Sequence, residues 1–346
     1  MSPDSAGSRA PTSFMAREIG QACELAGHLC SGGGDIERVA ARLTQHRFPF
    51  VVICGRGSSG HVGVHLRYLI ERCLGLTVSA SAPSVVTGYG QVPHVDGALF
   101  IVISQSGRSP DLVASTQAAR AGGALTLAIV NDQHSPVAHA AELVLPIGAG
   151  PEHAVAATKT VIGSLIVSAA LVASWSADRA LIEGLKDLPT RLARALKLDW
   201  SAWSSDLADA PAAYVIGRGH GLGTVREIAL KLSETLCLPA LGYSAAEFRH
   251  GPRAAVSRAT PILALRQADS VAEGIDQLVQ DLRSEGHRVH SCGGQHGSLP
   301  WLSDGHPACD PILMLVPAYL AVEREARRRG LNPDAPTGLT KVTETM

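Results

Sequence analysis

Aromatic residues make up only 4% of this 346-residue chain and charged residues only 18%. Lys plus Arg (30) and Asp plus Glu (31) nearly cancel, for a formal net charge of -1. Without a basic excess the chain has no surface built to neutralise a nucleic-acid backbone, which excludes a nucleic-acid partner and leaves small anions. The seven cysteines are scattered, odd in number and never spaced as Cys-x-x-Cys, which fits reduced, packed thiols of a cytoplasmic protein. None of the 14 histidines falls in a His-Glu-x-x-His pattern, so no metal site is assigned. Residues 1–13 are rich in Ser, Pro, Gly and Ala without an apolar core and read as a disordered leader, neither signal peptide nor membrane span. The one basic cluster, Arg324, Arg327, Arg328 and Arg329, reads as a solvated helix end.

What is abundant is apolar: 46% of residues, enough for a well-buried α/β protein, and at this length two domains. The expected order is an N-terminal helix over 14–34, a first α/β domain over 35–175, a helical linker over 176–208, a second α/β domain over 209–330 and a tail over 331–346. In the first domain, strands are expected at 50–54, 77–80, 99–103, 125–130 and 143–146 with helices between most of them, the pattern of a doubly wound parallel sheet. Gly150-Pro151-Glu152 is read as opening a long helix over 154–174, whose small and apolar residues imply burial at an interface. Strand, Gly-Arg-Gly, helix then recurs: Val215-Ile216-Gly217-Arg218-Gly219 echoes Ile53-Cys54-Gly55-Arg56-Gly57, which argues for duplication. Strands at 261–265, at 288–291 and near Asp310 are expected to complete the second sheet, before a helix over 312–329.

The apolar run 98–103 feeds Ser104-Gln105-Ser106-Gly107-Arg108-Ser109-Pro110-Asp111. In open α/β sheets, ligands bind beyond the carboxyl ends of the strands. Three serines and a glutamine supply neutral donors, Gly107 lets the backbone come close, and Ser109-Pro110-Asp111 is a helix start whose free amides favour an anion. The segment reads as a phosphate cradle that requires no metal. Glu227, Lys231 and Glu234 stand at i, i+4 and i+7, one face of the helix after the second Gly-Arg-Gly turn, among apolar Ile228, Leu230, Leu232 and Leu236.

Six motifs, the repeated turn counted as one, carry a resemblance. They are the two Gly-Arg-Gly turns, the cradle, Ala154-Val155-Ala156-Ala157-Thr158-Lys159, the 226–234 helix, Ala246-Glu247-Phe248-Arg249-His250-Gly251-Pro252, and the tail from Asn332 to Thr343. Together they resemble the double SIS (sugar isomerase) domain family, and within it the isomerase half of glucosamine-6-phosphate synthase and the SIS-type glucosamine-6-phosphate deaminases. The resemblance implies two tandem SIS domains, each a parallel doubly wound sheet flanked by helices. It implies a sugar phosphate substrate, no cofactor, no membrane partner, and a homodimer with shared sites.

By the same resemblance Glu234 is the base that moves a proton between C1 and C2. His250, read as lying in a loop, opens the sugar ring, and in the synthase the matching histidine is supplied across a dimer interface. Lys341 engages the open sugar, with Lys231 beside Glu234. Ser58, Ser59, Ser104, Gln105, Ser106, Ser109, Glu227 and the backbone at Val155 hold the substrate, and Ala157 stands where the synthase has a serine. Ser2 occupies the place of the synthase's cysteine nucleophile, and no glutaminase-sized segment is expected before the first SIS domain, so the implied direction is release of ammonia. The alternatives are an aldose–ketose isomerase, a deaminase of galactosamine 6-phosphate, a glutaminase-less aminotransferase-like isomerase domain and, in another class, a sugar-phosphate-sensing regulator. Replacing Ser106 with Ala removes one hydrogen bond to a dianion, and the expected loss in sugar phosphate affinity is about 1.5–3 kcal/mol with the fold intact, readable by calorimetric titration.

Overall fold

The computed structural model describes residues 12–31 and 34–341. The leader expected over 1–13 lies outside the described residues except for Thr12 and Ser13, as do tail residues 342–346. An N-terminal pair, α1 (Phe14–Cys30) and α2 (Gly34–Thr44), precedes a first sheet of β1 (Val51–Cys54), β2 (Val78–Ala80), β3 (Leu99–Ser104), β4 (Leu125–Val130) and β5 (Leu143–Pro146). Its helices are α3 (Gly57–Leu74), α4 (Pro83–Thr87), α5 (Pro110–Ala121) and α6 (Pro136–Ala140), followed by α7 (Lys159–Ser176) and the linker helices α8 (Arg179–Lys186), α9 (Leu188–Ala195) and α10 (Ser201–Asp206). The second sheet comprises β6 (Ala213–Gly217), β7 (Ala240–Ser244), β8 (Ile262–Leu265) and β9 (Val289–Cys292), with α11 (Leu222–Leu236), α12 (Ala245–His250), α13 (Ala272–Ser284) and a closing α14 (Asp310–Arg328).

Both sheets are parallel, ordered β2-β1-β3-β4-β5 and β7-β6-β8-β9. Each therefore winds outward in two directions from its first strand. The carboxyl ends of β1 and β3 lie side by side, with Cys54 paired to Val102, and form the switch point where such sheets leave a crevice. All six residues of β3 are buried, as a central strand covered on both faces requires.

Two expected elements differ. No strand forms near Asp310; Asp310 opens α14, with Pro311 in its first turn, where a fixed φ and a missing N–H suit a helix start. The fourth strand is instead β7, an edge strand whose Ala-Leu-Gly-Tyr-Ser sequence carries a glycine at its centre and so gives little propensity signal. The long apolar helix begins at Lys159 and not near Ala154, because the Glu152 carboxylate takes the amides of Thr158 and Thr160, each at 3.0 Å, and so fixes the helix start there. Its length and hydropathy would let α7 cross a membrane, but most of its surface is buried by α1, α2, α3 and α8, so it is apolar all round as a core helix.

The halves are joined through α3 and α11. A Cβ on Gly223 would stand 2.4 Å from the His61 carbonyl oxygen, so only glycine allows this crossing. Beside it His65 Nδ1 donates to the His220 carbonyl at 3.1 Å, and His220 Nε2 accepts from Arg72 at 3.2 Å. The tail also packs back. Asp334 accepts from the amides of Phe14 (2.9 Å) and Met15 (2.8 Å), capping α1, while its own carbonyl takes the Val155 amide at 2.9 Å.

Two predictions arise from these joints. Burial pushes His65 down to about 4, and burial with the neighbouring His65 and Arg72 pushes His220 down to about 3, from an ordinary 6.5. Both are neutral when folded, so below pH ~6.5 the unfolded chain binds more protons. Stability should be full above that pH and fall as pH drops from ~6.5 towards ~4, by roughly 2–4 kcal/mol for His65, read from urea midpoints. His65→Gln should flatten that slope. For Asp334→Ala, the loss of two charge-assisted hydrogen bonds should destabilise by about 1.5–3 kcal/mol and open the tail after Leu331 to limited proteolysis.

Candidate active site

At the end of β3, Ser104 Oγ accepts the Gly107 amide at 3.0 Å and Ser106 Oγ accepts that of Arg108 at 3.3 Å. Gly107 has φ of 63°, and a Cβ there would meet Ser135 Oγ at 2.1 Å, so the turn is restricted to glycine on both counts. Ser109 precedes α5 without using its hydroxyl as a cap. Gln105, Ser106 and Ser109 are partly exposed at the mouth of the turn. Buried Asp111 accepts from Arg56, so the arginine of the first Gly-Arg-Gly turn ties the end of β1 to the cradle helix.

The second group is built on α11. Glu227 is sealed, with 1% of its side chain exposed, and four groups converge on it. Its Oε1 accepts from Ser58 Oγ (3.1 Å) and Tyr319 OH (3.0 Å) and lies 3.5 Å from Lys231 Nζ, while Oε2 accepts from His61 Nδ1 at 2.9 Å. Lys231, equally buried, donates to Glu234, whose side chain keeps 24% exposure. Burial alone would push the Glu227 carboxyl up, but the Lys231 ammonium and the bonds from His61 and Tyr319 outweigh it and hold it below the usual carboxylate range. Burial likewise opposes the charge on Lys231, and the Glu227 and Glu234 carboxylates more than restore it. Both charges therefore persist at neutral pH. Tyr319 is raised far above its ordinary value by burial and by the adjacent Glu227 anion, so it stays a donor.

The third group is the 152–160 segment under the tail. Glu152 Oε2 accepts from Thr160 Oγ1 at 2.8 Å and from Lys341 Nζ at 3.0 Å, and Lys341 also donates to the Ala154 carbonyl. Glu18 of α1 accepts the amides of His153 and Ala154, so α1 supports the same turn from beneath. Val155 is held by the tail through its amide, and Ala157 offers no hydroxyl. Glu152 is among the carboxylates that favour the charge on Lys231, which couples this segment to α11.

Of the expected residues, the structure thus joins Ser58, Glu227, Lys231 and Glu234 in one hydrogen-bonded group and ties Lys341 and Val155 into the neighbouring segment. Ser59 shares the first turn of α3 with Ser58. His250 departs from expectation. It is the last residue of α12, not a loop residue, because Ser244 Oγ caps that helix by accepting the Glu247 amide at 3.2 Å. It is exposed and stands outside the Glu227 group. Four residues with a part here escaped the sequence reading: His61, Tyr319, Glu152 and Asp334. Only His61 left a signal, its i, i+3 spacing from Ser58 on α3.

Comparison with known proteins fits this fold. The SIS domain pattern matches residues 49–174 and 206–298, one segment on each sheet. The glutamine–fructose-6-phosphate aminotransferase (isomerizing) of Symbiobacterium thermophilum is 32% identical over 325 residues, covering 87% of this chain and 52% of that protein. The chain spans about half the length of the curated relatives it matches. A provisionally assigned phosphosugar isomerase from Silicibacter pomeroyi DSS-3 superposes with a TM-score of 0.89 at 37% identity, covering 93% of this chain and all of that one. The glucosamine-6-phosphate deaminase of Thermotoga maritima shares the fold, with a TM-score of 0.77 at 23% identity over 96% of this chain and 100% of that one. With both sheets matched, the chain belongs to the SIS domain family.

Proposed function

We propose that the protein converts glucosamine 6-phosphate and water to fructose 6-phosphate and ammonia. The observation that carries this reading is the unequal pair of carboxylates on one buried lysine: Glu227 sealed at 1% exposure, Glu234 open at 24%. A sealed carboxylate can only hold charge in place, whereas an open one can reach a carbon-bound proton. Glu234 takes the C2 proton of the open-chain aldose and returns it to C1, while O1 gains and the C2 nitrogen loses a proton. The product is a 2-imino sugar, which water hydrolyses to ketose and ammonia. Lys231 stabilises the Glu234 anion before transfer and loses that contact as the acid forms, which favours return of the proton.

Around this pair the cradle holds the phosphate with hydroxyls and amides. Lys341, with two of its three donors engaged by Glu152 and Ala154, keeps one for a sugar oxygen. The tail that carries it covers the 152–158 segment, so it also limits water at the reacting carbons. As an exposed residue outside its own chain's site, His250 suits a site shared with a second copy in a homodimer. A second reading, aldose–ketose isomerisation of a neutral sugar phosphate, is favoured by the phosphosugar isomerase likeness and needs the same base.

Incubation with glucosamine 6-phosphate alone separates the two. Ammonia and fructose 6-phosphate should appear in equal amounts, and unphosphorylated glucosamine should turn over far more slowly; interconversion of ketose and aldose phosphates without ammonia release would instead establish the second reading. Glu234→Gln keeps shape and loses basicity, so kcat should fall about 10²–10⁴-fold with KM little changed. Retention of half the wild-type rate would remove Glu234 from the mechanism.

A further inference from the structure

We propose that the protein carries a ligand site separate from the Glu227 group and the cradle: a cavity along the edge strand β2 that binds a small oxyanion, carboxylate or phosphate, between Arg67 and Arg226. The cavity measures about 160 Å³, and β1 stands between β2 and the cradle strand β3. Helix α3 serves both places with different faces. Ser58 and His61, three residues apart, meet Glu227, whereas Gly60, Gly63, Val64 and Arg67, spaced i, i+3, i+4 and i+7, line the cavity. A Cβ on Gly63 would stand 2.8 Å from Ile53 Cγ2, so the helix lies close on β1 there. Because the lining positions 55, 60 and 63 carry no side chain, space remains beside this contact. Ile53, Val64 and Val78 give it an apolar wall, with Ser79 and Ser81 at the end of β2.

Charge selects the ligand. Among the described residues the charged ones lining the cavity are Arg67 and Arg226, one from each half of the chain, and no carboxylate lines it. Glu71 accepts from Arg67 Nε at 3.0 Å and from the Val78 amide at 3.3 Å, which fixes that guanidinium beside the edge strand and leaves its terminal nitrogens as donors. Arg226 is exposed and has no hydrogen-bond or ion-pair partner among the described residues. In β2 the Thr77 carbonyl accepts the Val51 amide and the Ser81 amide donates to Ile53, so the alternation turns the amide and carbonyl of Ala80 away from β1. Two guanidinium forks over an apolar wall match an oxyanion on a short carbon body. A cavity of roughly 150 Å³ takes one benzene ring, which sets the size of that body. Since Arg67 belongs to α3 and Arg226 to α11, a bound anion ties together the two helices whose crossing assembles the Glu227 group.

The test titrates succinate, and separately inorganic phosphate, into protein carrying nitrogen-labelled arginine. With at least one of the two anions the Nε resonances of Arg67 and Arg226 should move together, with one dissociation constant below about 10 mM. Neutral succinamide should move neither. R226Q, a change at an exposed position, should keep the wild-type urea midpoint and weaken binding about 10–100-fold. R226K keeps the charge and loses the fork, so its affinity should fall between the two. The anion should raise the urea midpoint of wild type and leave that of R226Q in place. S106A should leave both arginine responses as they are, which separates this site from the cradle. A response to succinate alone identifies carboxylate as the recognised group and a response to phosphate alone identifies phosphate; either supports the site. Unmoved Nε resonances with both anions, an equal response to succinamide, responses abolished by S106A, or an R226Q affinity within about twofold of wild type would each overturn it and leave the deaminase reading standing.

Discussion

Helices α3 and α11 cross so closely that a methyl group at Gly223 would stand 2.4 Å from the His61 carbonyl oxygen, and the candidate site depends on that closeness. Each helix follows the first strand of its own sheet. Only when their backbones touch can Ser58 and His61 from one half reach Glu227 of the other. A larger residue at position 223 would push the helices apart and leave Glu227 and Lys231 buried with part of their hydrogen bonding lost. Removing one partner of such a buried pair typically costs about 3–5 kcal/mol. The crossing is thus structural and chemical at once, because the same carboxylate that joins the halves orients the groups around it.

Charge is handled in the same economical way. Two carboxylates share one buried ammonium, and one of them stays partly exposed while the other is sealed. Burial opposes the charges on Glu227 and Lys231, yet their mutual attraction and the donors His61 and Tyr319 keep both ionised. The cradle works by the opposite device: its donors are hydroxyls and amides, with the buried Asp111 already neutralised by Arg56. Cradle and ion-paired group are therefore electrostatically distinct, which suits the proposed substrate, a dianion at one end with a proton transfer at the other.

The tail is the third part of the construction. One residue, Asp334, caps α1 through its side chain and holds Val155 through its backbone, so the N-terminal helix, the turn before α7 and the C-terminal segment are fastened at a single point. Lys341 closes the arrangement on Glu152, the same carboxylate that fixes where α7 starts. Three segments distant in sequence meet there.

Local chemistry was legible in the amino-acid order: the cradle, with its strand, glycine turn and Ser-Pro-Asp helix start, the repeated Gly-Arg-Gly turns that mark two sheets, and the Glu227, Lys231, Glu234 stripe are contiguous or lie on one helix, where periodicity fixes their geometry. Such features reveal which groups share a face but not what covers that face. The stripe taken alone would suit a solvated helix; it became a sealed ion pair because α3 and Tyr319 of α14 close over it. Tyr319, Glu152 and Asp334 carry no local mark, since each acquires its role from a partner 6 to 320 residues away, and the spacing that relates His61 to Ser58 says nothing of Glu227, 166 residues on. The edge strand β7 and the start of α14 escaped for a related reason, one having a glycine where a strand signal should be strongest and the other an apolar run that fits either period. Sequence by itself therefore determined the elements and the chemical types available, whereas the choice of which carboxylate is sealed, which remains open and which histidine meets the sealed one was made by helix crossing, because burial and desolvation are properties of neighbours and not of the residue that experiences them.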